Sequence, residues 1–593
     1  MQNFKKLLFL LNTQERKRAG LLIIMIMIMA LLDLIGIASV LPFVAVLTNP
    51  GFIETNAILN IMFQASSIFG VKNDKEFLFT LGTLVFVLLI ISLTFKVLTI
   101  YAQVRFISMR EYNISKRLLE GYLHQSYSWF LSRNSADLGK NILSEVSQVI
   151  ANGMYPLIEL ISKGFVAIAL ITLIIIVDPK LALIVGVSLS GFYVSFFYFI
   201  RTFLVRIGKE SLINNKLRFA AINQAFGATK EIKVGGLEQH YIKLFLNPAQ
   251  IFARAQAASQ VISQLPRFIL EAIALGGMLL IILFLVAQSG SFNNALPIIS
   301  LYALTGYRLI PSFQQIYASF TQLTFVGPSL DKLYEDIKNL KLLYKNQDQD
   351  ILPLNKTIAL KNVYYDYPNT PRTTLNDINL IIPAKSTVGL VGATGSGKTT
   401  TVDIILGLLE PRKGTLEVDG KVITKQNLRS WLRSIGYVPQ HIYLSDDTVS
   451  ANIAIGVDPK DINQDMVEKA SKIANLHEFI IDELPKQYQT IIGERGVRLS
   501  GGQRQRIGIA RALYHDPKVL ILDEATSALD NQTEKAVMDA VNNLNKGITI
   551  ILIAHRLNTL KNCDIIFKLD KGHLVAQGTF DELINSNKGL RSN

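Results

Sequence analysis

Gly392, Gly397, Lys398 and Thr399 fit the spacing G-x-x-x-x-G-K-[ST], and the chemistry of that spacing is phosphate binding. Glycines let the backbone turn tightly, so that its N–H groups and the following helix N-terminus aim at an anion. Lys398 would then reach the β- and γ-phosphates of a nucleotide, and Thr399 would bind Mg²⁺. Such a loop needs a strand before it and a helix after it. The apolar run Thr387 to Val391 reads as the strand and Val402 to Leu409 as a helix packed on a sheet. A plain glycine-rich turn is the bland alternative, and the order of strand, loop and helix speaks against it.

Four later stretches carry matching chemistry. Lys518 to Glu524 is an apolar strand ending in two carboxylates: Asp523 suits the Mg²⁺ shell, and Glu524 can polarise a water for attack on the γ-phosphate. Gln440, after Gly-Tyr-Val-Pro, offers a neutral side chain for metal, water or a neighbouring domain. His555 ends a third apolar strand, where an imidazole can donate to the γ-phosphate. A lone histidine at a strand end is usually structural, but this one shares the expected sheet edge with Glu524 and Lys398. Ser500, Gly501, Gly502 and Gln503 open a helix and form a second anion site. One γ-phosphate cannot use two cradles of the same chain, so the second must come from a partner.

The elements that position these residues belong to a long chain. Its 593 residues exceed one core, half of them are hydrophobic, and the mean hydropathy is +0.32; a membrane protein is expected. Cys563 is alone, which excludes an intramolecular disulfide and a multi-cysteine metal site. Residues 3 to 18 place Phe4, Leu7, Leu8 and Leu11 among lysines and arginines, as in an interfacial helix. Six apolar stretches then follow, at 21–47, 77–100, 157–177, 181–200, 268–286 and about 295–320. The loops between them alternate: one side carries only Lys72, Lys75 and Lys180, the other is dense in Arg and Lys and is therefore cytosolic. Basic residues beside spans account for the net charge of +14 without nucleic acid. The basic segments 105–154 and 201–264 read as cytosolic extensions of the membrane helices. Ser126 to Phe130 and Gly235 to Glu238 are their turning points, either touching the nucleotide domain or lying free as hairpins. The expected domains are an interfacial helix at 1–18, a membrane domain at 19–328, a linker at 329–350 and a nucleotide domain at 351–593.

Taken in order, Gly392 to Thr399, Gln440, Leu499 to Gln503, Asp523, Glu524, Ser527 to Asp530 and His555 resemble the ABC ATPases. Six spans ahead of one such domain look like the exporter-type half-transporters, as does Gly493-Glu-Arg-Gly496. The resemblance implies an α-helical membrane domain followed by an α/β P-loop ATPase, using ATP and Mg²⁺. It implies that Tyr367 stacks on adenine and that Gly392, Ala393, Thr394, Gly395, Ser396, Gly397, Lys398, Thr399 and Thr400 hold phosphates and metal. It also implies that Ser500 and Gly502 complete the site of a second copy, Glu524 is the base, His555 the γ-phosphate switch and Gln440 the link to the membrane domain. No motif departs from the pattern, so a homodimer with two competent sites is expected.

Substrate must be read from the membrane half. Asp33 to Phe43 and an external amphipathic stretch at 51–71, read either as an interface helix or as an ordinary loop helix, look like the exporter branch containing the bacterial lipid-linked oligosaccharide flippase. That resemblance implies a polyprenyl-diphosphate glycan in a bacterial inner membrane. Lys96, Arg267 and Arg308 could hold the diphosphate, or Lys96 and Arg267 could pair with Asp33 and Glu271. A multidrug or lipid A-type exporter shares every ATPase residue. A peptide exporter and an ATP-gated channel or regulator fit less well.

Overall fold

The computed structural model describes residues 2–68, 70–177, 179–289, 292–340, 351–367, 373–493, 496–524, 531–543, 547–553 and 560–585, with some side chains inside α10, α11, α13, α14 and α22 (bounds below) also outside the description. Two compact units result, one of Met1–Gln125 with Arg133–Leu342, the other of Ser126–Ser132 with Leu343–Asn593.

The first unit is helical throughout. Its elements are α1 Gln2–Leu10, α2 Thr13–Ala38, α3 Val40–Thr48, α4 Phe52–Thr55, α5 Ala57–Ser67 and α6 Asp74–Leu123. After α7 Tyr127–Leu131, which groups with the second unit, come α8 Ser135–Lys140 and α9 Val146–Val149, flanked by π-helical turns at Asn141–Glu145 and Ile150–Met154. Then follow α10 Tyr155–Val177, α11 Pro179–Gly227, α12 Thr229–Gly235, α13 Glu238–Ser289, α14 Phe292–Phe325 and α15 Gly327–Asn339. Five of the six apolar stretches each lie within one of these helices, and the first, 21–47, runs across α2 and α3, which part at Ser39. Among the described residues three helical stretches are long and apolar enough to cross a bilayer: Thr13–Thr48, Asp74–Leu123 and Ser135–Ile176. The 50 residues of α6 extend about 75 Å, far beyond the ~30 Å of a hydrocarbon core. The bundle closes on Met29 and Ala30 of α2, Leu170 of α10, Tyr193 of α11 and Tyr317 of α14.

Local chemistry redraws three expected boundaries. The helix expected over 3–18 is two, because Asn12 caps α2: its side chain accepts from Glu15 N, and Glu15 accepts from Asn12 N, both at 2.8 Å. The first piece is packed against protein, with Leu7 and Leu10 buried, Lys6 on Asp331 at 2.7 Å and Phe9 edge-on to Tyr334. The external stretch 51–71 also breaks, at Asn56, whose carboxamide accepts from Ile58 N and Leu59 N. Ile53 and Leu59 bury against Val46, Phe77 and Leu81, while Ile58, Ile61 and Ile68 stay exposed. The stretch from 330, which reads as the end of a helix and a linker, is helix as far as Asn339: Leu330 and Leu333 at helical spacing are buried, and Pro328 suits the first turn. Gly236, at φ 60°, ends α12 and turns the chain where the sequence indicated.

The second unit holds two sheets. Strands β1 Thr357–Tyr365, β2 Leu375–Pro383, β4 Lys413–Val418 and β5 Lys421–Val422 make an antiparallel sheet in the order β2-β1-β4-β5. The other sheet has the order β10-β9-β3-β8-β7-β6, built from β3 Thr387–Val391, β6 Ile435–Val438, β7 Val519–Asp523, β8 Thr549–Ile553, β9 Ile565–Asp570 and β10 His573–Gly578. It is parallel except for β10. Every residue of β3, β7 and β8 is buried, as central strands covered on both faces require. The covering helices are α16 Lys398–Ile405, α17 Leu428–Leu432, α18 Val449–Ile453, α19 Gln464–Ile473, α20 His477–Glu483, α21 Gly501–Leu513, α22 Asn531–Asn543 and α23 Phe580–Asn585.

Candidate functional site

In a parallel sheet all carboxyl ends point one way, so the loops after them share one edge. Here the phosphate loop follows β3, Gln440 follows β6 by two residues, and Asp523 and Glu524 end β7. Register fixes their depth: Val438 lies beside Leu522, Asp523 beside Ile553, and Leu390 beside Ile553.

The phosphate loop has the backbone its glycines permit. Gly392 sits at φ 149°, and a Cβ there would lie 2.1 Å from the Leu569 carbonyl oxygen; Gly397, at φ 103°, leads into α16. Lys398 is buried and donates to Gly392 O at 2.8 Å and Ala393 O at 3.1 Å. Burial pushes its pKa down, and the Glu524 and Asp523 charges push it back up, so the loop and the end of β7 form one electrostatic site. Ser396 Oγ is buried without a hydrogen-bond partner, as a cradle awaiting an anion requires. Thr399 is exposed while Thr400 is buried. Tyr367 meets Thr400 Oγ1 at 3.1 Å and stands edge-on to Tyr365, which brings its ring to the phosphate-loop helix.

At the end of β7, Asp523 is buried and Tyr437 Oη donates to its Oδ2 at 3.4 Å. Glu524 holds φ 51°, an uncommon conformation for a side-chain-bearing residue and one that clusters at functional sites. Gln440 Nε2 donates to Glu524 Oε2 at 2.8 Å. Two side chains 84 residues apart thus share one bond, and a carboxylate held this way can take a proton from water. Asp523, Thr399 and Gln440 bring oxygen donors of the kind Mg²⁺ prefers. His555 and Ser527 to Asp530 lie outside the described residues.

Ser500 is the N-cap of α21: its Oγ accepts from Gln503 N at 3.2 Å, and Gln503 Oε1 accepts from Ser500 N at 2.7 Å. That box leaves the N–H groups of Gly501 and Gly502 at the helix start, where the dipole favours an anion. α21 is held close to the segment after Gln440. A Cβ on Gly508 would fall 2.4 Å from Ile442 Cδ1, and Arg511 donates to Tyr443 O at 2.9 Å and Asn452 O at 2.8 Å.

The sequence reading passed over Tyr437, Asp403 and Arg511. Tyr437 could have been found by its place on β6, two residues before Pro439 and three before Gln440. Asp403, one helical turn beyond Thr399 and Thr400, is buried; burial and the Asp523 charge raise its carboxyl to about 6. Nothing local marks Arg511, whose partners come from 59 and 68 residues away.

The cations considered for substrate belong to the helical unit. Lys96 is 3.8 Å from buried Asp33, which also accepts from Ser92 Oγ at 2.9 Å. Arg267 pairs with Glu271 at 2.7 Å. Both pairings that the sequence allowed are therefore made. The Arg308 side chain lies outside the described residues.

Comparison with known proteins agrees with this geometry. Residues 375–527 match the family described as ABC transporter, and residues 55–308 the ABC transporter transmembrane region. The chain is 31% identical over 486 residues to an ATP-dependent lipid A-core flippase of Cupriavidus metallidurans, covering 79% of each protein. It is 44% identical over 236 residues to the mitochondrial ATP-binding cassette sub-family B member 10 of Mus musculus, a match covering 39% of this chain and 33% of that one. A solved bacterial Atm1-family ABC exporter with ATP bound superimposes with TM-score 0.76 at 22% identity, covering 97% of each chain. A cassette with these phosphate-site elements, following a long helical unit, places this chain among the ABC transporters of the exporter type, with membrane region and ATPase on one polypeptide.

Proposed function

We propose that two copies of this chain flip an amphipathic glycolipid across a bacterial inner membrane, driven by ATP, and that the substrate is a polyprenyl-diphosphate-linked oligosaccharide. The observation that carries the ATP half is the shared edge of Lys398, Asp523, Glu524 and Gln440, with Gln440 bonded to Glu524. In this reading Tyr367 stacks on adenine, Gly392 to Thr400 wrap the phosphates, and Glu524 draws a proton from the attacking water. Thr399, Asp523 and Gln440 would hold Mg²⁺, which would supply positive charge against the phosphates. His555 contacts the γ-phosphate. Ser500, Gly501, Gly502 and Gln503 close the site of the other copy. Six spans carry the chain through the bilayer, with the cassette on the basic, cytosolic side.

For the cargo, support comes from the helical unit. Exposed Ile58, Ile61 and Ile68 on the α4–α5 hairpin suit a lipid tail. Lys96, Arg267 and Arg308 offer charge for a diphosphate, with Asp33 and Glu271 as resting partners of the first two. Export of lipid A is the second reading, favoured by the lipid A-core flippases among the relatives. Multidrug export shares the same cassette. The test is ATPase stimulation and flipping by the purified protein in proteoliposomes, against lipid-linked sugars, lipid A, amphiphilic drugs and peptides. Stimulation by lipid A alone would replace the first reading with the second. Unchanged flipping of a lipid-linked sugar by Arg308→Ala would remove that residue from the site.

A further inference from the structure

Seven residues, Ser126–Ser132, group with the cassette although the chain on both sides belongs to the helical unit. The two feet of this insertion meet on one carboxylate, that of Asp336 on α15. From the first foot, Tyr122 Oη donates to Asp336 Oδ2 at 3.2 Å. From the second, Asn141 Nδ2 donates to the same oxygen at 2.8 Å and reaches Tyr122 Oη at 3.4 Å. Arg133, the first residue after the insertion, lies 3.8 Å from Asp336 Oδ1. Tyr122 and Asn141 are 3% exposed and the Asp336 side chain 14%. Packing is as tight as the polar contact: a Cβ on Gly121 would stand 2.9 Å from Leu340 Cδ1. Among the described residues α15 is also the last helix before the cassette strands.

A largely buried carboxylate is costly, and its removal takes one polar partner from each of Tyr122, Asn141 and Arg133. Its position suggests what that cost serves. We propose that Asp336 is a positioning residue for the coupling of ATP turnover to helix movement: it staples both feet of the insertion to α15, so that displacement of Ser126–Ser132 moves the ends of α6, α8 and α15 together. Without the staple the feet part, and the displacement dissipates locally. The inference rests on reading the chain as an ATP-driven exporter.

The test uses the full chain in phosphatidylethanolamine/phosphatidylglycerol proteoliposomes, with Cys563→Ala and spin labels at the exposed positions of Leu119 on α6 and Leu217 on α11. The distance between labels is measured with and without ATP plus vanadate, beside basal ATP turnover and melting temperature. In the labelled parent, ATP shifts the distance. Asp336→Ala is expected to keep turnover within about two-fold and to weaken the ATP-driven population shift about ten-fold, inside the range that network residues reach. Tyr122→Phe should weaken it less, since Asn141 and Arg133 remain. With the labels attached through thiol-independent ketone side chains at positions 119 and 217, a disulfide between Asn141→Cys and Asp336→Cys should restore it, and its reduction should abolish it again. An undiminished shift in Asp336→Ala overturns the proposal. So does a parallel loss of turnover, shift and melting temperature that the cross-link does not rescue, because that is a folding defect. A parent chain that turns over no ATP and shows no shift sinks the exporter reading itself, and the proposal with it.

Discussion

Lys398 donates into carbonyls of its own loop while Glu524 is held by Gln440, so both side chains are positioned by protein partners in this structure. Glu524→Gln retains the shape and the bond to Gln440 but cannot accept a proton. ATP turnover should fall by about 10²–10⁴, while nucleotide binding, read by fluorescence of a labelled analogue, should persist; undiminished turnover would remove Glu524 from its role. Asp403 makes a prediction about pH. Its carboxyl is raised from an ordinary 3.8 to about 6, by burial first and the Asp523 charge second. The folded state therefore holds the proton more tightly than the unfolded chain. Its contribution to stability is complete below about pH 4 and is lost as pH rises through about 6. Asp403→Asn should flatten that window and raise stability at pH 7.5 by roughly 1–2 kcal/mol after screening. Thermal unfolding of the full chain at pH 5 and 7.5 measures it; equal shifts at both would contradict the assignment.

At the scale of elements, α2 is tied to α6 by the Asp33 contacts already described and, nearer its start, by a buried ion pair. Arg110, 2% exposed, pairs with Glu15, and Asn113 Nδ2 donates to the same carboxylate at 2.8 Å. Glu15 therefore serves two ends at once, capping α2 and neutralising a cation on α6. Glu15→Ala strands the guanidinium and should cost about 3–5 kcal/mol, seen as a fall in melting temperature in detergent. Adding Arg110→Leu should recover part of that loss, and a double variant no better than the single would show that the cap matters more than the pair. The helix α15 teaches the same lesson about neighbours. Its composition, rich in Lys and Asp, reads as the end of a helix running into a linker, and where the helix stops is set by its contacts: Leu330 and Leu333 on one face are buried, and its polar residues find partners in Lys6, Tyr122 and Asn141. Propensity alone did not decide between those outcomes; tertiary contacts did.

For the whole molecule, the phosphate loop and the helix start at Ser500 are the two proposed anion sites on one cassette, and the proposed pairing of each with its counterpart on a second copy can be tested by complementation. If the site is shared, a chain with Lys398→Ala mixed with a chain carrying Ser500→Arg leaves one site intact, and about half the turnover survives in the mixed dimer. Both changes on one chain, mixed with the parent, damage both sites. A site complete within one chain predicts the reverse, so steady-state ATPase of tagged, tandem-purified mixed dimers separates the two. The local chemistry of this chain was legible without coordinates: Gly392 to Thr399, Ser500 to Gln503, Asp523 and Glu524 are short-range patterns whose backbone demands are met by the residues themselves, and a bilayer-length apolar run becomes a helix because lipid offers its backbone no other partner. What only the tertiary structure decided are the pairings across long separations, Gln440 with Glu524, Tyr437 with Asp523, Glu15 with Arg110 and Tyr122 with Asp336. Hydrogen bonds and ion pairs act over a few ångströms, and which distant residues come that close is fixed by helix length, strand order and register, which no local stretch of sequence encodes.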